Sequence, residues 1–238
     1  MNHLKMIQQF LKEKRDIEDI PDTGFPFVTI SRQSGAGGHL LASILHAEFV
    51  KRREISLFEG WHVFDRELCD LVARDPLLLN DIEQLMDEKV RSKFDSFVES
   101  LLTGRSESQN LERTSFKVVR MLALIGKVIL VGRGSALITA DLPQSVHIRL
   151  VAPEAHRIAR VMKNLNLNKD DAREMVETQD AARRKLIKLF FQRDIEDPLL
   201  YDIIWNTGKV SVDIIAQTTL DLLMKRSLRR CEAVGMGW

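Results

Sequence analysis

Phe27-Val28-Thr29-Ile30-Ser31-Arg32-Gln33-Ser34-Gly35-Ala36-Gly37-Gly38-His39-Leu40-Leu41-Ala42 is the stretch that decides the fold. Its first four residues, Phe27–Ile30, come after the turn-forming Pro21, Gly24 and Pro26 and read as a short buried parallel strand. A glycine-rich turn, Ser34-Gly35-Ala36-Gly37-Gly38, comes at once, and Leu40, Leu41, Ile44, Leu45 and Phe49 then recur at helical spacing. Strand, glycine turn and helix in that order make an anion site. Backbone N–H groups converge, no side chains block the approach, and the helix N-terminus adds partial positive charge. Gln33, Ser34, Gly35, Ala36, Gly37, Gly38 and His39 are therefore the candidate phosphate-binding residues. A tight turn without a ligand is the competing reading.

The turn departs from the phosphate-loop pattern GxxxxGK[ST]. Arg32 stands where the first glycine belongs, Gly38 where the lysine belongs, and His39 where the hydroxyl belongs. In that pattern the lysine reaches the β- and γ-phosphates and the hydroxyl holds Mg²⁺. Another cation must replace the lysine, or transfer is slow or lost. Arg32 is the candidate, because a guanidinium binds phosphate oxygens in bidentate fashion. The plainer alternative for Arg32 is a solvated side chain.

Outward from this stretch, further apolar runs read as strands at Trp61–Phe64, Lys127–Val131, Val146–Val151 and Tyr201–Trp205. Helical spacing is expected at residues 3–18, through most of 66–125, at about 155–163, at 170–193 and around 212–228. The polar segment Leu102–Arg113 reads as a mobile loop. Strands alternating with helices imply crossovers and a mostly parallel sheet covered on both faces. The 238 residues suffice for one sizeable α/β core with an appended helical region.

Composition narrows the function. Lys+Arg number 35 against 34 Asp+Glu, so no global field points to nucleic acid or to a membrane surface. Cys69 and Cys231 form no CxxC, and the 6 histidines show no ligand spacing, which speaks against a structural zinc site or a disulfide scaffold. No run approaches the roughly 20 apolar residues of a membrane helix, and the charged N-terminus lacks a signal-peptide core. The chain reads as a cytoplasmic protein.

VTISRQSGAGGHLLA, HVFDRELCDLVA, VILVGRGSALI, VHIRLVAPEAHRIARVM and YDIIWNTGKVS, in that order, resemble the cytidylate kinase-like family, divergent P-loop nucleoside monophosphate kinases. The resemblance covers roughly residues 27–226. It implies a three-layer α/β fold with a five-stranded parallel sheet, a helical monophosphate-binding region at about 66–125 and a lid at about 160–195. Residues 1–24 would form an N-terminal helix, 25–228 the kinase-like domain, and 229–238 a tail. The implied activity is transfer of the γ-phosphoryl of ATP, with Mg²⁺, to CMP or dCMP. Arg133 matches the arginine that meets the monophosphate, and Asp65 an acidic position beside it. Arg157 and Arg160 match the helix leading into the lid; Asp180, Arg183 and Arg184 match the lid itself. Arg32, Arg133, Arg157, Arg160 and Arg184 are thus the candidate catalytic arginines, and Asp65 or Asp180 could hold Mg²⁺ through water. Structural alternatives stand beside each. Asp65 could simply cap a helix, and the arginines of 157–184 could belong to solvated helix faces. A non-catalytic nucleotide-binding module and a kinase for another small acceptor are the rival functions. Oligomeric state is open, since Leu4, Ile7, Phe10 and Leu11 could pack on the core or on a partner.

Overall fold

A computed structural model of the chain describes residues 3–15, 24–86, 94 and 110–234. Strands β1 (Phe27–Arg32), β2 (His62–Phe64), β3 (Val128–Val131), β4 (Ser145–Val151) and β5 (Ile203–Asn206) form one sheet, paired in parallel throughout, in the order β2-β3-β1-β4-β5. The chain therefore goes first to the edge on one side of β1 with β2, returns between the two with β3, then crosses to the other side for β4 and β5. Such a reversal opens a crevice beyond the carboxyl ends of the central strands, where open α/β sheets take their ligands.

The helices among the described residues are α1 (His3–Arg15), α2 (Gly38–Lys51), α3 (Arg66–Arg74), α4 (Pro76–Glu83), α5 (Asn110–Ile125), α6 (Ser135–Ile138), α7 (Glu154–Leu165), α8 (Lys169–Phe191) and α9 (Val212–Val234). Strand alternation divides the core. Val28 and Ile30 of β1 with Val146, Ile148 and Leu150 of β4 face α2 and α9, through Leu41, Leu45, Ile215 and Leu220. Phe27, Phe64, Val128 and Leu130 face α1, α3 and α5, through Phe10, Leu68, Phe116 and Leu122. Burial on both faces explains why the strands are apolar runs rather than alternating ones. A small third cluster, Ile158, Val161, Ala172 and Val176, joins α7 to α8 and makes that pair a unit with its own core.

Several boundaries differ from expectation. The apolar face of α1 meets the core, with Ile7 and Phe10 fully buried, and helix is described only to Arg15. The helical region breaks at Asp75, whose carboxylate caps α4 while Pro76 takes its first position. Residues 110–113 of the expected loop already belong to α5; residues 102–109 lie outside those described. The last strand starts at Ile203, because a 3₁₀ turn at Pro198–Leu200 holds the chain before it. Helix α9 continues to Val234, so the expected tail begins inside a helix. No helix among the described residues is long and apolar enough to cross a membrane.

Candidate phosphoryl-transfer site

The glycine turn is held by its carbonyls. Arg157 Nη1 donates to the Ser34 carbonyl at 3.2 Å, Arg160 Nη1 to Gly35 at 3.2 Å, and Thr207 Oγ1 to Ala36 at 2.9 Å. The Gln33 side chain ties the start of the turn to the end of β4 by accepting from the Ala152 N–H at 3.0 Å. Three successive carbonyls engaged from outside leave the turn's amides for the opposite side. Those of Gly35, Gly37, Gly38 and His39 have no acceptor among the described residues. Gly37, at φ +92°, opens α2 in the left-handed conformation, and its open space is filled by the Arg160 guanidinium. This is the construction of an anion cradle at a helix N-terminus.

One amide of the turn is already taken. The Ser34 N–H donates to Asp180 Oδ1 at 2.7 Å, and Ser34 Oγ to Gln179 at 2.9 Å. Asp180 also receives Arg183 on Oδ1 at 2.9 Å and Arg157 on Oδ2 at 2.8 Å. The expected lid thus rests on the loop through a buried carboxylate whose two oxygens accept three donors.

Arg32 explains both departures from the phosphate-loop pattern as one. Its side chain lies across Gly38, so that a Cβ there would stand 2.9 Å from Arg32 Cγ and 3.1 Å from Cδ. Its Nη1 presses against Gly132 at the end of β3. An arginine at the start of the turn thus fills the space from which the lysine of a standard loop would rise. Burial, and then the charge of Arg183, push Arg32 down to about 10, against the pull of Asp65 and Asp180. Partial burial and the Arg32 charge likewise lower His39, which favours the neutral ring near pH 7.

Beyond the loop lies a cavity of about 460 Å³ at the carboxyl ends of β1, β2 and β3, walled by α3, α5, α6 and α8. Arg32, Arg66, Arg133 and Arg183 line it, together with Asp65, Glu67 and Glu112. Arg133 reaches it through an unusual turn. Gly132, Arg133 and Gly134 all have positive φ (86°, 55° and 68°), a left-handed run that a bulky side chain normally avoids. Arg133 is held there by an ion pair with Asp70 of α3, which Ser115 also bonds at 2.7 Å; the buried Nε of Arg133 has no hydrogen-bond partner among the described residues. Asp65 serves as the cap of α3, accepting from the Leu68 N–H at 3.1 Å, and still lines the cavity, 3.9 Å from His39 Nδ1. Capping and cavity position coexist.

The structure therefore brings Arg32, His39, Asp65, Arg133 and Arg183 together. Arg157 and Arg160 stand behind the loop, on its carbonyls, outside the cavity lining. Arg184 is exposed and lines a small cleft beside the cavity, with Arg32, Arg149 and Arg183. Ser31, Arg66, Glu67, Asp70, Glu112, Arg149 and Tyr201 were not singled out from the sequence. A charged residue inside the apolar run VHIRLV was the available sign of Arg149. No grouping of three His, Cys, Asp or Glu among the described residues could hold a metal by itself, and Cys69, pushed up to about 12 by burial, is an inert core thiol.

A parallel sheet, a glycine turn gripping a helix N-terminus and an arginine-lined crevice define a P-loop α/β protein of the kinase kind. The chain belongs to the cytidylate kinase-like family, whose model matches residues 27–209. It is similar to a cytidylate kinase of Methanocaldococcus jannaschii, 29% identical over 109 residues, 44% of this chain and 61% of that protein. It is also similar to a uronate isomerase of Corynebacterium glutamicum, 28% identical over 94 residues, 38% of this chain and 18% of that protein. The chain thus spans less than two thirds of either relative. A solved structure from Eubacterium ventriosum shares the fold at a TM-score of 0.65 and 22% identity, covering 84% of this chain and 98% of that one.

Proposed function

We propose that the protein transfers the γ-phosphoryl group of ATP to a pyrimidine nucleoside monophosphate, CMP or dCMP. The observation that supports this most is convergence: unfilled loop amides and four arginines, Arg32, Arg66, Arg133 and Arg183, at one crevice. In this reading the loop amides bind the donor's phosphates and Arg32 neutralises their terminal charge. Arg133, with a free buried Nε, receives the acceptor's phosphate. Arg183 and Arg184, on α8, complete the enclosure and exclude water. Phosphoryl transfer asks chiefly for alignment and charge neutralisation, and the acceptor phosphate is already nucleophilic, so no strong general base is needed.

Mg²⁺, which supplies charge neutralisation between donor phosphates, fits Asp65 better than Asp180. The cap bond uses Asp65 Oδ1, and among the described residues the one ion-pair partner of Oδ2 is His39, at 3.9 Å. Both oxygens of Asp180 are occupied by cations or by the Ser34 amide. Asp65 would hold the ion through water, the usual habit of Mg²⁺.

One observation favours a second reading, a nucleotide-binding module without turnover: Asp180 sits on a loop amide in a loop that lacks its lysine. Coupled ADP release over CMP, dCMP, UMP and AMP, run beside thermal shifts with ATP and CMP, separates the two. Turnover with CMP or dCMP supports the proposal; stabilisation without turnover on any acceptor selects the module. Efficient transfer only to a different acceptor replaces the pyrimidine monophosphate.

A further inference from the structure

Arg149 lies near the middle of the sheet, on β4, and is 4% exposed. Its partners are hydroxyls: Nη1 donates to Ser31 Oγ at 3.1 Å and to Tyr201 Oη at 3.5 Å, with the guanidinium 5.5 Å from the Tyr201 ring centre. The comparably buried Arg120 differs, since it pairs with Asp141, and the half-buried Arg133 and Arg157 pair with Asp70 and Asp180. No carboxylate stands within ion-pair distance of Arg149 among the described residues. Hydroxyls and a ring face orient a cation without neutralising it, and a buried charge without a counter-ion is costly.

Its position says what the missing counter-ion is. Arg149 pairs in register with Ser31, three residues before the glycine turn opens at Ser34, and Ser31 and Tyr201 line the main cavity. Arg149 itself lines the small adjoining cleft with Arg32, Arg183 and Arg184. Asp180 and Glu196 are the carboxylates of that cleft, and Asp180 is already engaged by Ser34, Arg157 and Arg183. Burial chiefly, and to a lesser degree the charge of Arg149, depress the basicity of Arg183 against the pull of Asp180. Four guanidiniums border this one cleft against two carboxylates, a net positive charge that a multiply charged anion held at its mouth would balance.

We propose that Arg149 binds a phosphoryl group at the transfer site, contacting it from the sheet side while Arg32, Arg183 and Arg184 surround it. This rests on the phosphoryl-transfer reading of the crevice and adds to it a fixed cation set in the sheet itself. Two sources share the chemistry, the donor's terminal phosphoryl and the acceptor's own phosphate.

Titration calorimetry of wild type, Arg149→Met and Arg149→Lys with tripolyphosphate, ATP, ADP and CMP, together with melting temperatures of the ligand-free proteins, tests it. Arg149→Met should weaken tripolyphosphate and ATP roughly 10- to 100-fold, the worth of a charge-assisted phosphate bond. ADP should change less than about twofold if the donor's terminal group is the partner; a loss confined to CMP assigns the contact to the acceptor's phosphate instead. The ligand-free melting temperature should hold or rise, because an uncompensated buried charge is gone. A methionine variant that melts lower yet binds every probe as wild type does shows a structural arginine and overturns the proposal. Unchanged affinity for all probes overturns it as well. If the methionine chain does not fold, Arg149→Lys decides: a loss of roughly tenfold supports a forked contact, and wild-type affinity refutes it. Wild-type protein that binds none of the four probes removes the phosphoryl-transfer reading before any variant is compared.

Discussion

Alanine at positions 32 and 38, singly and together, probes the feature on which the phosphate loop turns. The Arg32 side chain is wedged between two glycines: a methyl on Gly38 would stand 2.9 Å from its Cγ, and Nη1 lies against Gly132. If Arg32 carries the charge that a loop lysine would carry, Arg32→Ala should weaken ATP by roughly 10- to 100-fold, the range for charge-assisted hydrogen bonds of about 1.5–3 kcal/mol. Gly38→Ala should weaken ATP comparably by dislodging the same side chain. The double variant should then bind no more weakly than Arg32→Ala alone, a coupling of about 1.5–3 kcal/mol. Stability should change little, because Gly38 is only the first residue of α2 and the group its Cβ would meet is the flexible stem of Arg32, so Gly38→Ala should leave the melting temperature close to wild type. Calorimetric ATP titrations of the four proteins give the cycle. Losses that multiply in the double variant, or wild-type affinity in Gly38→Ala, refute the reasoning.

Three further outcomes are expected from the same geometry. Arg133→Gln should lower kcat/KM for the acceptor by roughly 10- to 100-fold while ATP affinity stays within about twofold, and steady-state kinetics showing unchanged kcat/KM would leave Arg133 a partner of Asp70 alone. Gly35→Ala places a Cβ at φ +76°, 2.8 Å from the Cα and carbonyl carbon of Arg157, so α7 must shift and denaturant unfolding should show a loss of roughly 2–4 kcal/mol; a loss under about 0.5 kcal/mol contradicts it. Lys14, buried between Phe10 and Phe25, is pushed down to about 7, first by burial and then by the charge of Lys127. Unfolded, it titrates near 10.5, so between pH 7 and 10.5 the unfolded chain holds the extra proton and stability rises with pH. Lys14→Met should remove that rise and stabilise the protein at pH 6–7 by an amount on the order of 5 kcal/mol at most; a melting-temperature profile parallel to wild type contradicts it.

The fold was legible because its signals are local. FVTI, KVILV and VHIRLV are apolar runs that only a doubly covered sheet explains, and the glycine turn marks the passage from β1 into the N-terminus of α2. The features outside the reach of sequence reasoning are spatial. Arg32 and Gly38 read as two separate departures from the phosphate-loop pattern, although one side chain lying over the other's missing Cβ makes them a single arrangement. Arg157 and Arg160 read as candidate catalytic arginines on the helix leading into the lid; in space that helix lies behind the loop and their guanidiniums hold its carbonyls. The partner of Arg133 is Asp70, 63 residues away, and no spacing rule connects such pairs. Asp65 is the opposite case, since the start of α3 was readable and its cap is where the sequence suggested.

A crystal structure with a non-hydrolysable ATP analogue, Mg²⁺ and CMP bound tests the central claim most directly. It should show the triphosphate along residues 33–39 with the amides of Gly35, Gly37, Gly38 and His39 turned onto it. The Arg32 guanidinium should meet the β- and γ-phosphate oxygens, and Arg133 the phosphate of CMP. Phosphates bound away from the loop, or Arg32 left in contact with Gly132 and no phosphate oxygen, would contradict the assignment of this arginine to the place of the missing lysine.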